Sequence, residues 1–310
     1  MSIMRDVLLS LSRSKRLRES VVTLPPARKM SRRFVAGETL DAALNVIEGL
    51  NRSGIQGILD FLGENTSNVA EAEFYTQEQI AEVNGIASRG LKSYVSLKLT
   101  AMGLDIDPAL AQANMQRVLE AGRAHGVFVR IDMESSDYVD RTLGIYFAMR
   151  DAGFDNVGIV IQSCLFRSEA DIRALLERGA NVRLVKGAYN EPPDRAFPDK
   201  ADVDRSLIKM VKMMLSPEAL AKGAFCAVAT HDEAIIRFVK AHALDHNVPR
   251  DAYEFQMLYG IKASMHRQLA QEGYGFRAYI PYGTHWYPYF MRRLAERPAN
   301  VWFVVKGALG

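Results

Sequence analysis

The stretch Val157-Gly158-Ile159-Val160-Ile161-Gln162 is an apolar run rich in β-branched residues that ends on a polar side chain. A continuous run of this kind is typical of a strand that is buried on both faces of a parallel sheet. Residues 169–176 follow it with apolar positions at helical spacing. The stretch therefore predicts one unit in which a β-strand is followed by an α-helix.

The same alternation recurs on both sides of this unit. The strand-like runs are residues 55–60, 94–100, 127–132, 157–162, 182–186, 225–229, 253–258 and 276–280. The segments of helical periodicity are residues 40–50, 72–86, 109–121, 139–152, 169–176, 203–214, 233–243 and 263–271. Eight units without a change of composition predict an α/β fold, a single (βα)8 TIM-like barrel.

Domain boundaries follow from this pattern. Residues 39–310 are predicted to form the barrel, and residues 1–38 a basic N-terminal helical arm. Thr39 can cap the helix that opens the barrel. The longest interval between strands holds the Pro- and Asp-rich stretch 190–204, which we expect to form a loop or short helix over the barrel mouth.

The composition is that of a globular protein. Of the 310 residues, 48% are hydrophobic and 24% are charged, which excludes collagen-like and wholly disordered chains. Cys164 and Cys226 are too far apart for a Cys-x-x-Cys site, so we expect packing thiols in a reducing cytosol. No segment approaches the ~20 consecutive apolar residues of a membrane span. We therefore expect a cytoplasmic protein.

The positive charge of the chain is concentrated in residues 1–33. This segment carries nine Lys or Arg residues against Asp6 and Glu19, a net charge of +7 that leaves −4 for the remainder. Because the folded body is not basic, nucleic-acid binding is not expected. The basic residues flank Leu8, Leu9 and Leu11, which favours a weak peripheral contact with anionic lipid at the inner face of the membrane. A helix packed on the barrel and a transit peptide remain alternatives.

Polar side chains recur where the predicted strands end. They are Glu64, Lys98, Asp132, Gln162, Arg183, Lys186, His231, Gln256 and Tyr279. In a barrel of this type the active site lies at the C-terminal ends of the strands. Because buried charges destabilise a barrel unless they are paired or bind a ligand, this pattern indicates a functional mouth.

Lys98 and Asp132 are candidates for an ion pair across adjacent strands. Strand periodicity places both on the inward face of the barrel. Such a pair could close the barrel or orient a charged substrate. A desolvated lysine would also suit a Schiff-base lyase or aldolase. Lys186 is the other candidate lysine. If Arg183 points into the barrel, the alternation of side chains along the strand turns Lys186 outward. The lyase or aldolase would therefore use Lys98 as its nucleophile.

Other catalytic classes lack their signals. His231 is the only histidine at a predicted strand end, and His242 and His246 have helical spacing without a third ligand, so no metal site is expected. No Ser lies in a Gly-x-Ser-x-Gly elbow, and no Gly-x-Gly-x-x-Gly follows a strand. The sequence therefore indicates neither a hydrolase of that type nor a Rossmann domain.

The segment after the eighth predicted strand carries a patterned polar face. Pro288 suits a first helical position, and Tyr289, Arg292 and Arg293 then fall on one helix face at i, i+3 and i+4. The first turns of this helix are expected over the barrel mouth. Two guanidinium groups beside a phenol form a clamp for a carboxylate, or else a solvated face.

Together these motifs resemble those of monofunctional bacterial proline dehydrogenases, from about residue 34 to the C-terminus. The matching motifs are Leu62-Gly63-Glu64, Ser96-Leu97-Lys98-Leu99, Val129-Arg130-Ile131-Asp132-Met133-Glu134, Arg183-Leu184-Val185-Lys186-Gly187-Ala188-Tyr189, Ala229-Thr230-His231-Asp232, Phe255-Gln256-Met257-Leu258-Tyr259-Gly260 and Tyr289-x-x-Arg292-Arg293. The resemblance implies a distorted (βα)8 barrel that holds FAD non-covalently. It implies oxidation of L-proline to 1-pyrroline-5-carboxylate by hydride transfer from C5 to flavin N5, with a membrane quinone as electron acceptor.

The resemblance also assigns roles to individual residues. Asp132, which would hold Lys98, and Arg183, near flavin N5, would be the catalytic residues. The substrate would be bound by Lys98, Ala188, Leu258, Tyr279, Tyr289, Arg292, Arg293 and Glu64, the last paired with Arg292. The other cofactor contacts would be Met133, Gln162, Lys186, Gly187, Ala188, Thr230 and His231. Cys164 and Phe166 stand where the family pattern Gln-x-Tyr-Leu-Tyr-Arg has aromatic residues.

Overall fold

Eight parallel strands close into a barrel in chain order in the computed structural model, which describes residues 31–296 and the side chains of residues 31–291. The strands are β1 Gln56–Phe61, β2 Ser93–Leu97, β3 Val129–Ile131, β4 Val157–Gln162, β5 Asn181–Val185, β6 Phe225–Ala229, β7 Tyr253–Leu258 and β8 Phe276–Tyr282. Closure comes from β8, which pairs with β1 from Gln56↔Arg277 to Phe61↔Tyr282. The predicted fold class and all eight predicted strands are confirmed.

The helices surround this barrel. They are α1 Leu40–Asn51, α2 Val69–Ser88, α3 Pro108–His125, α4 Val139–Asp151, α5 Ser168–Leu176, α6 Lys200–Met214, α7 Pro217–Ala221, α8 Glu233–Asp245, α9 Ala263–Gln271 and α10 Trp286–Glu296. Short 3-10 turns occupy Ser136–Tyr138 and Arg250–Ala252. The stretch 190–204 is a loop up to residue 199, after which α6 begins. The short helix α7 and both 3-10 turns were not predicted from the sequence.

Local sequence signals explain where several helices begin and end. The Thr39 side chain accepts a hydrogen bond from the Ala42 amide at 3.3 Å, as expected for the cap of α1. Asp107 caps α3 in the same way, and Pro108 fills its first position. Gly126 ends α3 with φ +67°, a left-handed conformation that glycine adopts without steric penalty.

Several predicted boundaries are wrong by a few residues, and three of them have a clear physical reason. β2 ends at Leu97 because the chain then turns, with the Met102 and Leu104 amides donating to the Leu99 carbonyl. β8 continues through Pro281, whose carbonyl accepts a hydrogen bond from the Ala36 amide at 2.8 Å. Pro288 is the third residue of α10 rather than the first. Proline is tolerated there because the first four N–H groups of a helix have no partner within the helix.

The predicted arm lies largely outside the described residues. Within its last residues, Phe34 and Val35 are buried, and the Phe34 ring lies 6.3 Å from that of Phe290. Gly260 approaches this segment so closely that a Cβ atom there would lie 1.7 Å from the Arg33 carbonyl oxygen. Residues 31–36 therefore pack against the mouth of the barrel. The boundary between arm and barrel stays a prediction.

The interior of the barrel below the mouth is polar. Arg130 is fully buried and donates to the Ile159 carbonyl at 3.1 Å. Glu254 pairs with Arg277 at 2.9 Å, and the Tyr94 hydroxyl accepts from the Gln256 amide at 2.7 Å. Because these buried groups are paired, they form a second polar layer beneath the residues at the strand ends.

One buried carboxyl lies outside this network and predicts how stability depends on pH. Glu82 of α2 is fully buried, and neither carboxyl oxygen has a hydrogen-bond partner of good geometry among the described residues. Burial, reinforced by the nearby charge of Asp60, raises the pKa of Glu82 well above its ordinary value. The native state then holds a proton that the unfolded state has lost, so stability falls as pH rises from the ordinary value towards the raised one.

We therefore expect Glu82→Gln to lose less stability than wild type between pH 5 and pH 8, by on the order of 1 kcal/mol. The free energy of unfolding in urea, measured at both pH values, checks this difference. Glu120→Gln, which changes an exposed residue of α3, serves as the control and should follow wild type. An equal loss of stability in wild type and Glu82→Gln would show that Glu82 is ionised in the folded protein.

Candidate active site

A cavity of about 480 Å³ opens at the C-terminal ends of the strands. Most of the predicted site residues line it, namely Lys98, Asp132, Met133, Gln162, Arg183, Lys186, Gly187, Ala188, Thr230, His231, Leu258, Tyr279 and Tyr289. Glu64 is half-buried in the loop after β1, outside that lining. Arg292 and Arg293 belong to α10, but their side chains lie outside the described residues.

Asp132 is a buried carboxylate of the cavity that accepts hydrogen bonds on both of its oxygens. One of its oxygens accepts from Arg183 Nη1 and from the Ser96 hydroxyl, both at 2.7 Å. The other accepts from the Tyr279 hydroxyl at 2.6 Å. Burial alone would raise the pKa of Asp132, but Arg183 and Lys98 outweigh it, so the pKa is lowered. Asp132 is therefore a carboxylate that holds three side chains in fixed orientations.

Lys98 lies between two carboxylates. Its Nζ is 3.2 Å from Asp60 Oδ1 and 3.9 Å from Asp132 Oδ2. The strand pattern predicted the pairing of Lys98 with Asp132, but Asp60 is the closer partner and was not predicted. The signal was present, because Asp60 ends an apolar run and alternation puts it on the same face as Ile58.

These neighbours set the charge of Lys98. Burial alone would lower the pKa of its ammonium group, but Asp60 and Asp132 outweigh burial and raise it. Burial conversely raises the pKa of Asp60, with Lys98 opposing and Asp132 adding to the rise. A lysine held as a cation is a poor nucleophile, since attack on a carbonyl requires the neutral amine. The geometry therefore disfavours the Schiff-base alternative.

Arg183 brings a second permanent cation to the cavity floor. Its Nε donates to Gln256 Oε1 at 2.7 Å, and its guanidinium lies 5.2 Å from the centre of the Tyr279 ring. Burial alone would lower its pKa, but Tyr94 and Asp132 raise it. Burial and the charge of Asp132 also raise the pKa of Tyr279, which stays a neutral phenol. The floor thus presents fixed cations beside a neutral aromatic wall.

Lys186 corrects one expectation. Strand parity turned this residue outward, but β5 ends at Val185, so the alternation no longer applies and Lys186 lines the cavity. Its Nζ lies 2.6 Å from Asp204 and 2.8 Å from Asp232. Lys200 joins the same two carboxylates, which makes a four-member ion network at the cavity edge.

The next residue, Gly187, brings bare backbone to the cavity wall. Its φ of +110° strains other residues, and a Cβ atom there would lie 2.4 Å from Cys164 Sγ. Burial raises the pKa of Cys164 to about 11, so this side chain is a packed thiol rather than a thiolate. At the end of the adjacent strand β6, His231 Nε2 accepts the Leu258 amide at 3.1 Å, which fixes the orientation of the imidazole ring.

The described residues contain neither a cluster of metal ligands nor a helix that could span a membrane. In residues 31–291 no three His, Cys, Asp or Glu side chains are grouped so as to hold a metal ion. In the same part of the chain no helix combines the length and apolarity needed to cross a bilayer.

Comparison with known proteins gives a consistent result. Residues 43–306 match the family model described as proline dehydrogenase. The chain is 42% identical to proline dehydrogenase 1 of Bacillus subtilis, over 99% of both chains. It is also 42% identical to the proline dehydrogenase of Deinococcus radiodurans, over 90% of both.

A solved structure agrees with these relatives. Proline utilization A of Bdellovibrio bacteriovorus, inactivated by N-propargylglycine, superimposes with a TM-score of 0.80 at 28% identity. The match covers 87% of this chain and 33% of that longer one.

The contacts of Asp132 predict a large effect of its neutralisation. Asp132→Asn leaves the buried Arg183 without its carboxylate, and breaking a buried pair in this way costs about 3–5 kcal/mol. Ser96→Ala removes the hydrogen bond from Ser96 to Asp132 and two longer contacts of 3.3 Å with Arg183, but leaves the ion pair in place, and should cost about 1–2 kcal/mol. Urea unfolding of both variants measures the two losses. Equal small losses would mean that Arg183 and Asp132 are not paired in solution.

Proposed function

Because this chain belongs to the proline dehydrogenase family, we propose that it oxidises L-proline to 1-pyrroline-5-carboxylate with non-covalently bound FAD and a membrane quinone as electron acceptor. The observation that carries the proposal is the alternation of buried charges at the cavity floor, in which Lys98 stays a cation between Asp60 and Asp132. Proline carries a carboxylate, and a fixed cation beside an apolar wall binds such a substrate in one orientation.

The residues around Gly187 fit a flavin. The wall there offers bare backbone, the neighbouring thiol is neutral, and Arg183 supplies a buried cation that would stabilise an anionic reduced ring. The residues that would hold FAD are Met133, Gln162, Arg183, Lys186, Gly187, Ala188, Thr230 and His231. When bound, FAD supplies the acceptor for a hydride from proline C5 at its N5, and passes the electrons to the quinone.

The chain itself orients proline. We assign the substrate carboxylate to Lys98, Arg292 and Arg293. Four side chains would enclose the ring, namely Ala188, Leu258, Tyr279 and Tyr289. Asp132 would act by fixing Arg183 and Tyr279, with which it is hydrogen-bonded. Glu64 would pair with Arg292 and close the cavity over the substrate.

The proposal extends to the place of the reaction. Quinones reside in membranes, so the enzyme has to reach the bilayer to pass on its electrons. The basic residues 1–33 would supply a peripheral contact with anionic lipid at the cytoplasmic face, where each Lys or Arg contributes about 1 kcal/mol. We propose a cytoplasmic enzyme with this membrane contact and no nucleic-acid partner.

An absorption spectrum tests the proposal. The purified protein is expected to be yellow, and its visible absorbance should bleach on anaerobic addition of L-proline because the flavin becomes reduced. A colourless protein that stays apo when mixed with FAD would contradict the proposal. Borohydride trapping of a carbonyl compound on Lys98 would favour the aldolase instead.

The clamp assigned to Arg292 and Arg293 gives a quantitative prediction. Charge-assisted hydrogen bonds contribute ~1.5–3 kcal/mol each, so Arg292→Met or Arg293→Met should lower kcat/KM for proline by roughly 10- to 150-fold. Flavin content should stay unchanged, because other strands would hold the cofactor. Arg292→Lys keeps the charge but loses the planar fork, so it should recover only part of the loss. If both methionine variants kept the kcat/KM of wild type, the two arginines would not bind the substrate and would instead form a solvated face.

A further inference from the structure

The loop of residues 62–68, between β1 and α2, carries Glu64 at the cavity mouth. Its first residue is fixed by a hydrogen bond of 2.9 Å from the Leu62 amide to the Tyr282 carbonyl. Gly63 passes against the Tyr75 ring, where a Cβ atom would lie 1.9 Å from ring carbon Cε1. The start of the loop is therefore held by β8 and α2.

Beyond Glu64 the loop is held by Thr100, a fully buried residue after β2. The Asn65 amide donates to the Thr100 hydroxyl at 3.1 Å. The Thr66 amide and hydroxyl both donate to the Thr100 carbonyl, at 3.2 Å and 2.9 Å. Asn65 has a φ of +58°, an uncommon conformation that such fixed neighbours help to maintain.

Thr100 is in turn held by Glu134, which follows β3. The Thr100 hydroxyl donates to Glu134 Oε2 at 2.7 Å, and the Thr100 amide donates to Oε1 at 3.2 Å. The Glu134 carbonyl accepts from the Gln162 side chain at 2.8 Å. A chain of hydrogen bonds thus runs from Gln162 at the cavity wall through Glu134 and Thr100 to the loop that carries Glu64.

The direction of this chain depends on the charge of Glu134. A carboxylate accepts both bonds from Thr100, which leaves the hydroxyl oxygen free to accept the Asn65 amide. A protonated Glu134 carries a hydrogen on one of its two oxygens. If that oxygen is Oε1, its hydrogen faces the Thr100 amide, which is also a donor. If it is Oε2, it donates to the Thr100 hydroxyl, which then has to direct its own hydrogen elsewhere. Protonation therefore disturbs the anchor of the loop.

The charged groups around Glu134 come from three elements. Lys98 after β2 favours the carboxylate, whereas Glu64 in the loop disfavours it. Tyr138 of the 3-10 turn lies near enough that the charge of Glu134 contributes to raising the pKa of its hydroxyl. Burial raises the pKa of Glu134 to about 7, with the Thr100 hydrogen bonds and Lys98 opposing the rise. The charge of Glu134 thus changes within the physiological pH range.

We propose that Glu134 is a positioning residue for proline binding, because through Thr100 it fixes the loop that holds Glu64 over the cavity, and that this hold weakens when Glu134 takes up a proton. The consequence for catalysis rests on the proposed function, in which Glu64 closes the cavity. The consequence for the loop itself does not, since it follows from the hydrogen bonds alone.

The matched variants Thr100→Val and Thr100→Ser test the proposal in kinetics. Valine has the shape of threonine without the hydroxyl, whereas serine keeps it. Thr100→Val should raise KM for proline about 5-fold, which corresponds to ~1 kcal/mol, with kcat and flavin content little changed. Thr100→Ser should stay near wild type. Wild-type KM should rise towards that of Thr100→Val as pH falls from 8 to 6, whereas KM of Thr100→Val should stay flat.

Hydrogen–deuterium exchange provides a measurement that does not depend on activity. Peptides covering residues 62–68 should exchange faster in Thr100→Val than in Thr100→Ser, and faster in wild type at pH 6 than at pH 8 after correction for the intrinsic rate. Glu134→Gln, whose amide cannot accept both bonds, should exchange like Thr100→Val. Unchanged exchange and KM in Thr100→Val would overturn the proposal, and so would a fall in kcat and flavin content without a change in KM. Faster exchange in a protein that does not oxidise proline would refute the proposed function and leave the loop anchor standing.

Discussion

Four buried charges of alternating sign, on Asp60, Lys98, Asp132 and Arg183, lie in a row at the mouth of the barrel. A single buried charge is strongly destabilising, and a pair is tolerated only when its hydrogen bonds are complete. Each of these side chains is therefore held in place by the ion pair with its neighbour in the row. The row spans β1, β2, β3 and β5, so its geometry depends on closure of the whole barrel.

The chemistry of the cavity follows from this row. Asp60 and Asp132 keep Lys98 an ammonium, and Asp132 keeps the Tyr279 hydroxyl and Arg183 in place. In the layer beneath, the Tyr94 hydroxyl and Gln256 Oε1 accept further hydrogen bonds from Arg183. The cavity therefore offers fixed cations and a neutral aromatic wall without relying on rearrangement, which is how preorganised sites orient a charged substrate.

Much of the fold and part of the site could be predicted from sequence. Continuous apolar runs identified the strands, and alternation correctly turned Lys98 towards Asp132. Asp60 was missed because Glu64 was taken as the polar residue at the end of the first strand, although alternation from Ile58 places Asp60 on the inward face. Lys186 was turned the wrong way because β5 ends one residue earlier than the apolar pattern indicates. The contact between Glu134 and Thr100 has the same offset of 34 residues as the register Ser96↔Arg130, so alternation could have indicated it. The hydrogen bonds from Thr100 to the loop of residues 62–68 have no such signal in the sequence.

In the proposed function, proline would lie with its ring carbon C5 towards the flavin, because cations on the far side of the cavity would hold its carboxylate. Stopped-flow measurement of flavin bleaching with isotopically labelled L-proline tests this orientation directly. Deuterium at C5 should slow bleaching, because the C5–H bond breaks in that step, whereas deuterium at C2 should have no effect. Slower bleaching with deuterium at C2, together with an unchanged rate of bleaching with deuterium at C5, would contradict this orientation.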